Sequence, residues 1–145
     1  MQPEPLDNTL VDRPSFYRER HIWIATFLGG PLGAGFIIAK NFRAIGEPER
    51  IPLTWGIAGS AALILYLLIV HVPELDDVPD VVIPIILALL AEAVFKSRQR
   101  SGIDTLIDRG CHSYSHWQAA GIGIFGWILT FALYTVVEFA SSEFI

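Results

Sequence analysis

Residues 22–39 read IWIATFLGGPLGAGFIIA, an apolar run that lies between His21 and Lys40. A run of this length is close to what a helix needs to cross a hydrocarbon layer of about 30 Å. Its centre, however, is Gly-Gly-Pro-Leu-Gly-Ala-Gly, and glycine and proline both weaken a straight helix. The way this broken centre sits in lipid therefore decides on which side of the membrane the N-terminal arm lies.

Three further apolar segments follow, at 53–72, 78–95 and 117–139. Hydrophobic residues make up 52% of the chain and charged residues 17%, whereas about a quarter is charged in a typical soluble domain. The pattern predicts an all-α integral membrane bundle of four apolar segments, the first kinked or re-entrant. We expect a polar N-terminal arm over 1–20, flexible or lying on the surface, and a single transmembrane domain over 21–145.

Small residues recur one helical turn apart in these segments. Such faces let helix backbones approach closely in a membrane, where no hydrophobic effect drives helices together. Packing within the bundle is the simpler interpretation, and docking of a partner helix is the alternative; the pair Gly56 and Ser60 in the second segment belongs to the same pattern. The candidate packing or bending residues are Gly29, Gly30, Pro31, Gly33, Gly35, Gly123 and Gly126.

The positive charges allow two topologies. The ten Lys and Arg residues precede the first segment, follow it, or lie between the third and fourth segments. If all four segments span, the positive-inside rule puts loops 40–52 and 96–116 in the cytoplasm and both termini outside. If the first segment returns at Gly29-Gly30-Pro31, all ten charges lie inside. We favour a kinked spanning helix, because glycine-rich spans are frequent in membranes.

The first segment and its continuation resemble a signature of small bacterial membrane proteins. The features are Gly-Gly-Pro-Leu over 29–32, the exit Lys40-Asn41-Phe42, and Gly46 in a short basic loop. Ile83-Pro84, and Gly110 followed by Ser115 and Trp117, are similar to later parts of that pattern. The resemblance covers most of residues 22–140 and is to a biochemically uncharacterised family. It implies a multi-span fold in the bacterial inner membrane and transfers no catalytic residue.

Glu92 is a possible ion or proton site, because a carboxylate in an apolar segment is costly and usually faces the bundle. The alternative is an ion pair with Lys96, four residues on, near the cytoplasmic interface. Cys111, His112 and His116 are weak metal candidates without a fourth ligand, and the acidic loop 73–80 lacks the spacing of a calcium motif. We therefore predict no metal and no cofactor.

No catalytic motif is visible, and the net charge of −5 without a basic stripe argues against nucleic acid as a partner. We expect a non-enzymatic accessory or assembly subunit of a membrane complex, whose partners are the lipid bilayer and other subunits or a second copy. The alternative is a small oligomeric channel, or a proton- or cation-linked transporter, that uses Glu92 and the broken first segment.

Overall fold

The computed structural model describes residues 13–143, and the account below concerns that part of the chain. It contains five α-helices and no named strand, as the all-α prediction requires. Short 3₁₀ turns lie before and after the second helix, at Pro48–Arg50 and Pro73–Asp77. The helices are α1 Glu19–Ala44, α2 Ile51–His71, α3 Val82–Arg98, α4 Arg100–Asp108 and α5 His116–Ser142.

Helix α1 is folded back on itself. A straight helix would separate Tyr17 from Asn41 by about 36 Å. Instead the Tyr17 backbone N–H donates to Asn41 Oδ1 over 2.7 Å, and Asn41 Nδ2 donates to the Tyr17 carbonyl over 2.9 Å. Gly33 likewise lies against the carbonyl oxygen of Ala25, eight residues earlier. We call residues 19–44 the hairpin, with a first arm over 19–29 and a second arm over 31–44.

The reversal takes place at Gly30, whose φ of 59° and ψ of −151° are not helical. This backbone conformation is accessible essentially only to glycine. Pro31 follows and begins the second arm, where its missing N–H removes little because the first turn of a helix has free N–H groups. The first segment therefore folds back on itself, as in the hairpin alternative, and does not continue as the single kinked helix that we favour from the sequence.

The hairpin occupies the middle of the bundle, and α2, α3 and α5 pack around it. Its residues are the most buried of the apolar segments, with Ile22, Ala25 and Ile37 fully enclosed. The second halves of α2 and α5 also contact each other directly, since Tyr66 donates a hydrogen bond to Glu138 and Tyr134 donates to the Ala62 carbonyl. The first apolar segment, whose topology the sequence left open, is thus the one on which the other helices pack.

The chain before the hairpin is part of the fold from Phe16 onward. Phe16 is fully buried and exchanges backbone hydrogen bonds with the loop after α4, accepting from Tyr114 N–H and donating to the His112 carbonyl. The predicted polar arm is therefore not flexible at its end, because Phe16 and Tyr17 belong to the core. Residues 1–12 of that predicted arm lie outside the described residues.

Helix α4 lies in the loop between the third and fourth apolar segments. Ile103 and Leu106 are buried while Asp104 and Thr105 are exposed, so one face packs on the bundle. The helix ends where Gly110 takes a φ of 76°, and Cys111 N–H then reaches back to the Leu106 carbonyl. This is a glycine C-terminal cap of the usual kind.

Three stretches are long and apolar enough to cross a membrane: Glu19–Ala44, Pro48–His71 and His116–Ser142. Their lengths and compositions are those of an integral membrane protein. The first of the three is the hairpin. Because it reverses at Gly30, it extends only about half as far as a straight helix of the same number of residues. Helix α3 has 17 residues and runs in the opposite direction to α2. The outward faces of α2 and α5 are strongly apolar, with Ile57, Leu53, Phe131 and Trp127 all more than half exposed.

The positive charges gather at one end of the bundle, which we call the basic end. Lys96 lies 3.5 Å from Glu19, Lys40 lies over the Tyr114 ring, and Arg13 donates to the Arg109 carbonyl. The opposite, acidic end carries the Pro73–Asp77 turn and the end of α5. No Lys or Arg occurs over residues 51–95 or after Arg109.

Candidate functional site: the hairpin and its side groove

Glycine contacts hold the tip of the hairpin against α5. A Cβ added to Gly29 would lie 2.5 Å from the Gly123 carbonyl oxygen, and one added to Gly126 would lie 2.8 Å from the Gly33 nitrogen. Gly123 in turn faces Leu28 and Ala25. These backbones approach so closely that no side chain fits between them, which is the use of small residues expected in a membrane bundle.

The second arm makes the corresponding contact with α2. A Cβ on Gly35 would lie 2.5 Å from the Ala58 Cβ, and the neighbouring Phe36 and Trp55 rings pack edge to face at 6.1 Å. The structure therefore places five of the candidate packing residues at helix contacts, while Gly30 and Pro31 form the bend. By contrast, an added Cβ on Gly56 would meet nothing within 4 Å, so this glycine of α2 packs on no other helix within residues 13–143.

A buried polar network closes the base of the hairpin. Asn41 and Gln99 are both fully buried. Besides its two bonds to the Tyr17 backbone, Asn41 donates to Gln99 Oε1 over 3.3 Å, and Gln99 Nε2 donates to the Ile38 carbonyl over 2.8 Å. The network joins the chain before the hairpin, the second arm and the end of α3. Satisfied buried amides of this kind fix one arrangement of the backbone.

An aromatic and histidine cluster lies beside this network. The Tyr17 and Tyr114 rings stack at 4.3 Å, and the His21 and His116 rings meet edge to face at 4.8 Å. Burial, with Tyr114 as a second cause, raises the pKa of Tyr17 to about 12, so its hydroxyl is neutral in the physiological range. His21 Nδ1 accepts the Arg18 N–H, whereas its Nε2 is buried without a hydrogen-bond partner in residues 13–143.

Glu92 is held between α3 and the first arm. It accepts a hydrogen bond from Trp23 Nε1 over 2.6 Å and forms an ion pair with Lys96, which also lies near Glu19. Its side chain is 15% exposed. The ion pair between Glu92 and Lys96, which the sequence offers as the alternative, is therefore present. Trp23 is a further partner that the spacing of residues along α3 could not indicate. A transport role for Glu92 stays a prediction.

The weaker candidates do not form a ligand set. Within residues 13–143, no three His, Cys, Asp or Glu side chains lie close enough to hold a metal ion. His116 packs against His21, which comes from the far end of the sequence, and Cys111 is a half-buried free thiol. The acidic residues of loop 73–80 are solvent-facing in the turn Pro73–Asp77.

A groove of about 620 Å³ runs between α2 and α3, with the second arm of the hairpin as its floor. Its walls are apolar from the tip of the hairpin to the base, where Arg50 and Arg98 lie. Three hydroxyls line the groove. Those of Thr54 and Ser97 donate to carbonyls of their own helices, whereas Thr26 Oγ1, on the first arm, is buried without a hydrogen-bond partner in residues 13–143. The groove is lined by Thr26, Pro31, Ala34, Gly35, Ile38, Phe42, Arg50, Leu53, Thr54, Ile57, Ala58, Ala61, Leu87, Leu90, Ala91, Val94, Ser97 and Arg98.

Sequence reasoning missed the groove and the polar network. Both join residues from separate segments, such as Asn41 with Tyr17, 24 positions away, and with Gln99, 58 positions away, which become neighbours only when the hairpin returns to the basic end. Asn41 is part of the Lys40-Asn41-Phe42 exit of the first segment, and an amide at the end of an apolar run was the available signal. Gln99 lies in a run of charged residues and carries no such signal.

Searches with this chain against protein-family models, curated protein sequences and solved structures return no match.

Proposed function

We propose that this is a bacterial inner-membrane protein with three crossings, α2, α3 and α5, and a re-entrant hairpin that enters from the cytoplasmic side. In this topology the basic end, including loops 40–52 and 96–116, is cytoplasmic, which accords with the positive-inside rule for all ten Lys and Arg. From His116 to Gly126, α5 advances about 15 Å, so the hairpin reaches about the middle of the bilayer. Packed protein on its sides is the setting that irregular backbone needs at this depth.

We further propose that the protein acts through contacts, as an accessory or assembly subunit of a membrane complex. The observation that carries this proposal is the exposed pair Gly56 and Ser60 on α2. Gly29, Gly33 and Gly35 of the hairpin arms already pack on α2 or α5, whereas a Cβ added to Gly56 would meet nothing within 4 Å and Ser60 is exposed. A small-residue face of that kind suits the close approach of another helix.

The test is affinity purification in mild detergent, with the co-purifying membrane subunits identified by mass spectrometry. Gly56→Leu should remove the partner, because the larger side chain keeps the two backbones apart. Gly121→Leu on α5 is the matched control, since an added Cβ at Gly121 also meets nothing within 4 Å. A wild-type protein that purifies as a monomer, or a partner retained by Gly56→Leu, would contradict the proposal.

The alternative expectation, a channel or proton-linked transporter that uses Glu92, is the weaker proposal. The discontinuous hairpin favours it, because broken segments often form ion sites in transporters. Against it, the Glu92 carboxylate is already paired with Lys96 and Trp23, close to the basic end of the bundle.

A further inference from the structure

The groove between α2 and α3 has the dimensions of one bilayer leaflet. On α2 the lining runs from Arg50 to Ala61, and on α3 from Leu87 to Arg98. Each span covers twelve residues, and the eleven steps between its ends correspond to about 16 Å along a helix, against about 30 Å for the whole hydrocarbon layer. The groove therefore begins at the basic surface and ends at the tip of the hairpin, near the middle of the membrane.

The chemistry of the groove changes along its length in the same way as that of a phospholipid. Its deep part presents carbon atoms of Leu90, Ile57 and Pro31, among others, and its charged lining residues are the two arginines at the surface. None of the lining residues is acidic. A volume of about 620 Å³ suits an acyl chain rather than a folded helix of a partner.

The two arginines are available to an anion. Within residues 13–143, Arg98 forms no ion pair and its side chain is exposed. Arg50 lies 3.1 Å from Glu47, with both side chains more than a third exposed. Exposed pairs of this kind contribute little, so a phosphate can compete for Arg50. Arginine is also the side chain that binds phosphate most specifically.

We propose that this groove binds one anionic phospholipid of the cytoplasmic leaflet, with an acyl chain between α2 and α3 and its phosphate at Arg50 and Arg98. Basic pockets between membrane helices on the cytoplasmic side bind anionic lipids in this manner. The site is separate from the Gly56 face of α2, so it can be present whether or not the protein has a partner subunit.

The test is a lipid titration of the purified, delipidated full-length chain, followed by native mass spectrometry. The probes are dioleoylphosphatidylglycerol and, as the uncharged comparison, dioleoylphosphatidylcholine. The wild type should retain one phosphatidylglycerol molecule in preference to phosphatidylcholine. The double variant Arg50→Gln/Arg98→Gln should lose about tenfold or more in affinity for phosphatidylglycerol, because two cations near the headgroup are removed.

The matched control is Arg43→Gln/Arg100→Gln, which removes two exposed arginines of the basic end that do not line the groove. It should leave retention unchanged. Ala61→Trp, or Val94→Trp from the opposite wall if the first variant unfolds, should prevent retention while both arginines remain. Circular dichroism establishes that each variant is folded.

Equal loss in the two arginine pairs would overturn the proposal, because it would show general attraction to the basic surface. Equal retention of the two lipids, or retention unchanged by a folded tryptophan variant, would also overturn it. So would a lipid-free dimer that the tryptophan variants dissociate, since a second copy would then occupy the groove. None of these results depends on the orientation in the membrane or on an accessory role.

Discussion

At the scale of single residues, Asn41 connects the two ends of the hairpin. It is fully buried and satisfies both backbone groups of Tyr17, which would otherwise lie unpaired inside the bundle. Its own amide is in turn held by Gln99. The Asn41 side chain therefore links the two ends of the hairpin by hydrogen bonds.

Asn41→Leu should destabilise the protein by about 1–3 kcal/mol for each backbone group of Tyr17 that is left unpaired. The measurement is thermal unfolding in detergent, followed by circular dichroism. Thr105→Ala is the control, since that exposed hydroxyl bonds only to the Ser101 carbonyl of its own helix. A melting temperature for Asn41→Leu equal to that of the control would show that the network does not stabilise the hairpin.

At the scale of elements, the hairpin depends on one backbone conformation and on close packing at its tip. Gly30 supplies the conformation, and Gly29, Gly33, Gly123 and Gly126 supply the packing. The same cluster of glycines thus has two separate uses. An added side chain at Gly30 would meet no neighbour within 4 Å, so its requirement for glycine is purely conformational.

Gly30→Ala should therefore destabilise the protein by about 1–3 kcal/mol, the usual strain of a side chain in this region of backbone space. Gly59→Ala is the matched control, because Gly59 is helical and also lacks a neighbour within 4 Å. The control should be neutral or stabilising by up to about 1 kcal/mol. Thermal unfolding of the two variants compares them directly, and a Gly30→Ala protein as stable as Gly59→Ala would count against the observed turn.

At the scale of the whole molecule, the hairpin determines on which side the N-terminus lies. In the proposed topology of one reversal and three crossings, the chain before Glu19 and the loops of the basic end share one side of the membrane, and the end of α5 lies on the other. A spanning first segment would instead place the N-terminus with the end of α5. The two arrangements differ in where Ser15 is found.

Ser15→Cys in a Cys111→Ser background should react with a membrane-impermeant maleimide in inside-out vesicles and not in right-side-out vesicles. Ser141→Cys in the same background is the opposite control and should react only in right-side-out vesicles. The readout is the mass shift of the labelled chain. Labelling of Ser15→Cys from the outside would exclude the re-entrant topology.

Much of the architecture follows from the sequence, because it depends on local properties. Apolar runs of membrane length predict α2 and α5 to within a few residues, and Gly110 and Pro84 indicate a helix end and a first turn. The sequence does not determine whether the first segment continues in one direction or folds back. Gly-Gly-Pro is compatible with a kink in a helix and with a reversal of the chain.

The sequence by itself determined that this chain is helical, apolar enough for a membrane, and positively charged at one set of loops. Only the tertiary structure decided that the first segment returns, because the decisive interactions join distant residues: Asn41 with Tyr17, and Gly29 with Gly123. The groove has the same origin, since its floor exists only once the second arm lies between α2 and α3. Burial and hydrogen bonding among distant segments, rather than any local preference of Gly-Gly-Pro-Leu, select the hairpin.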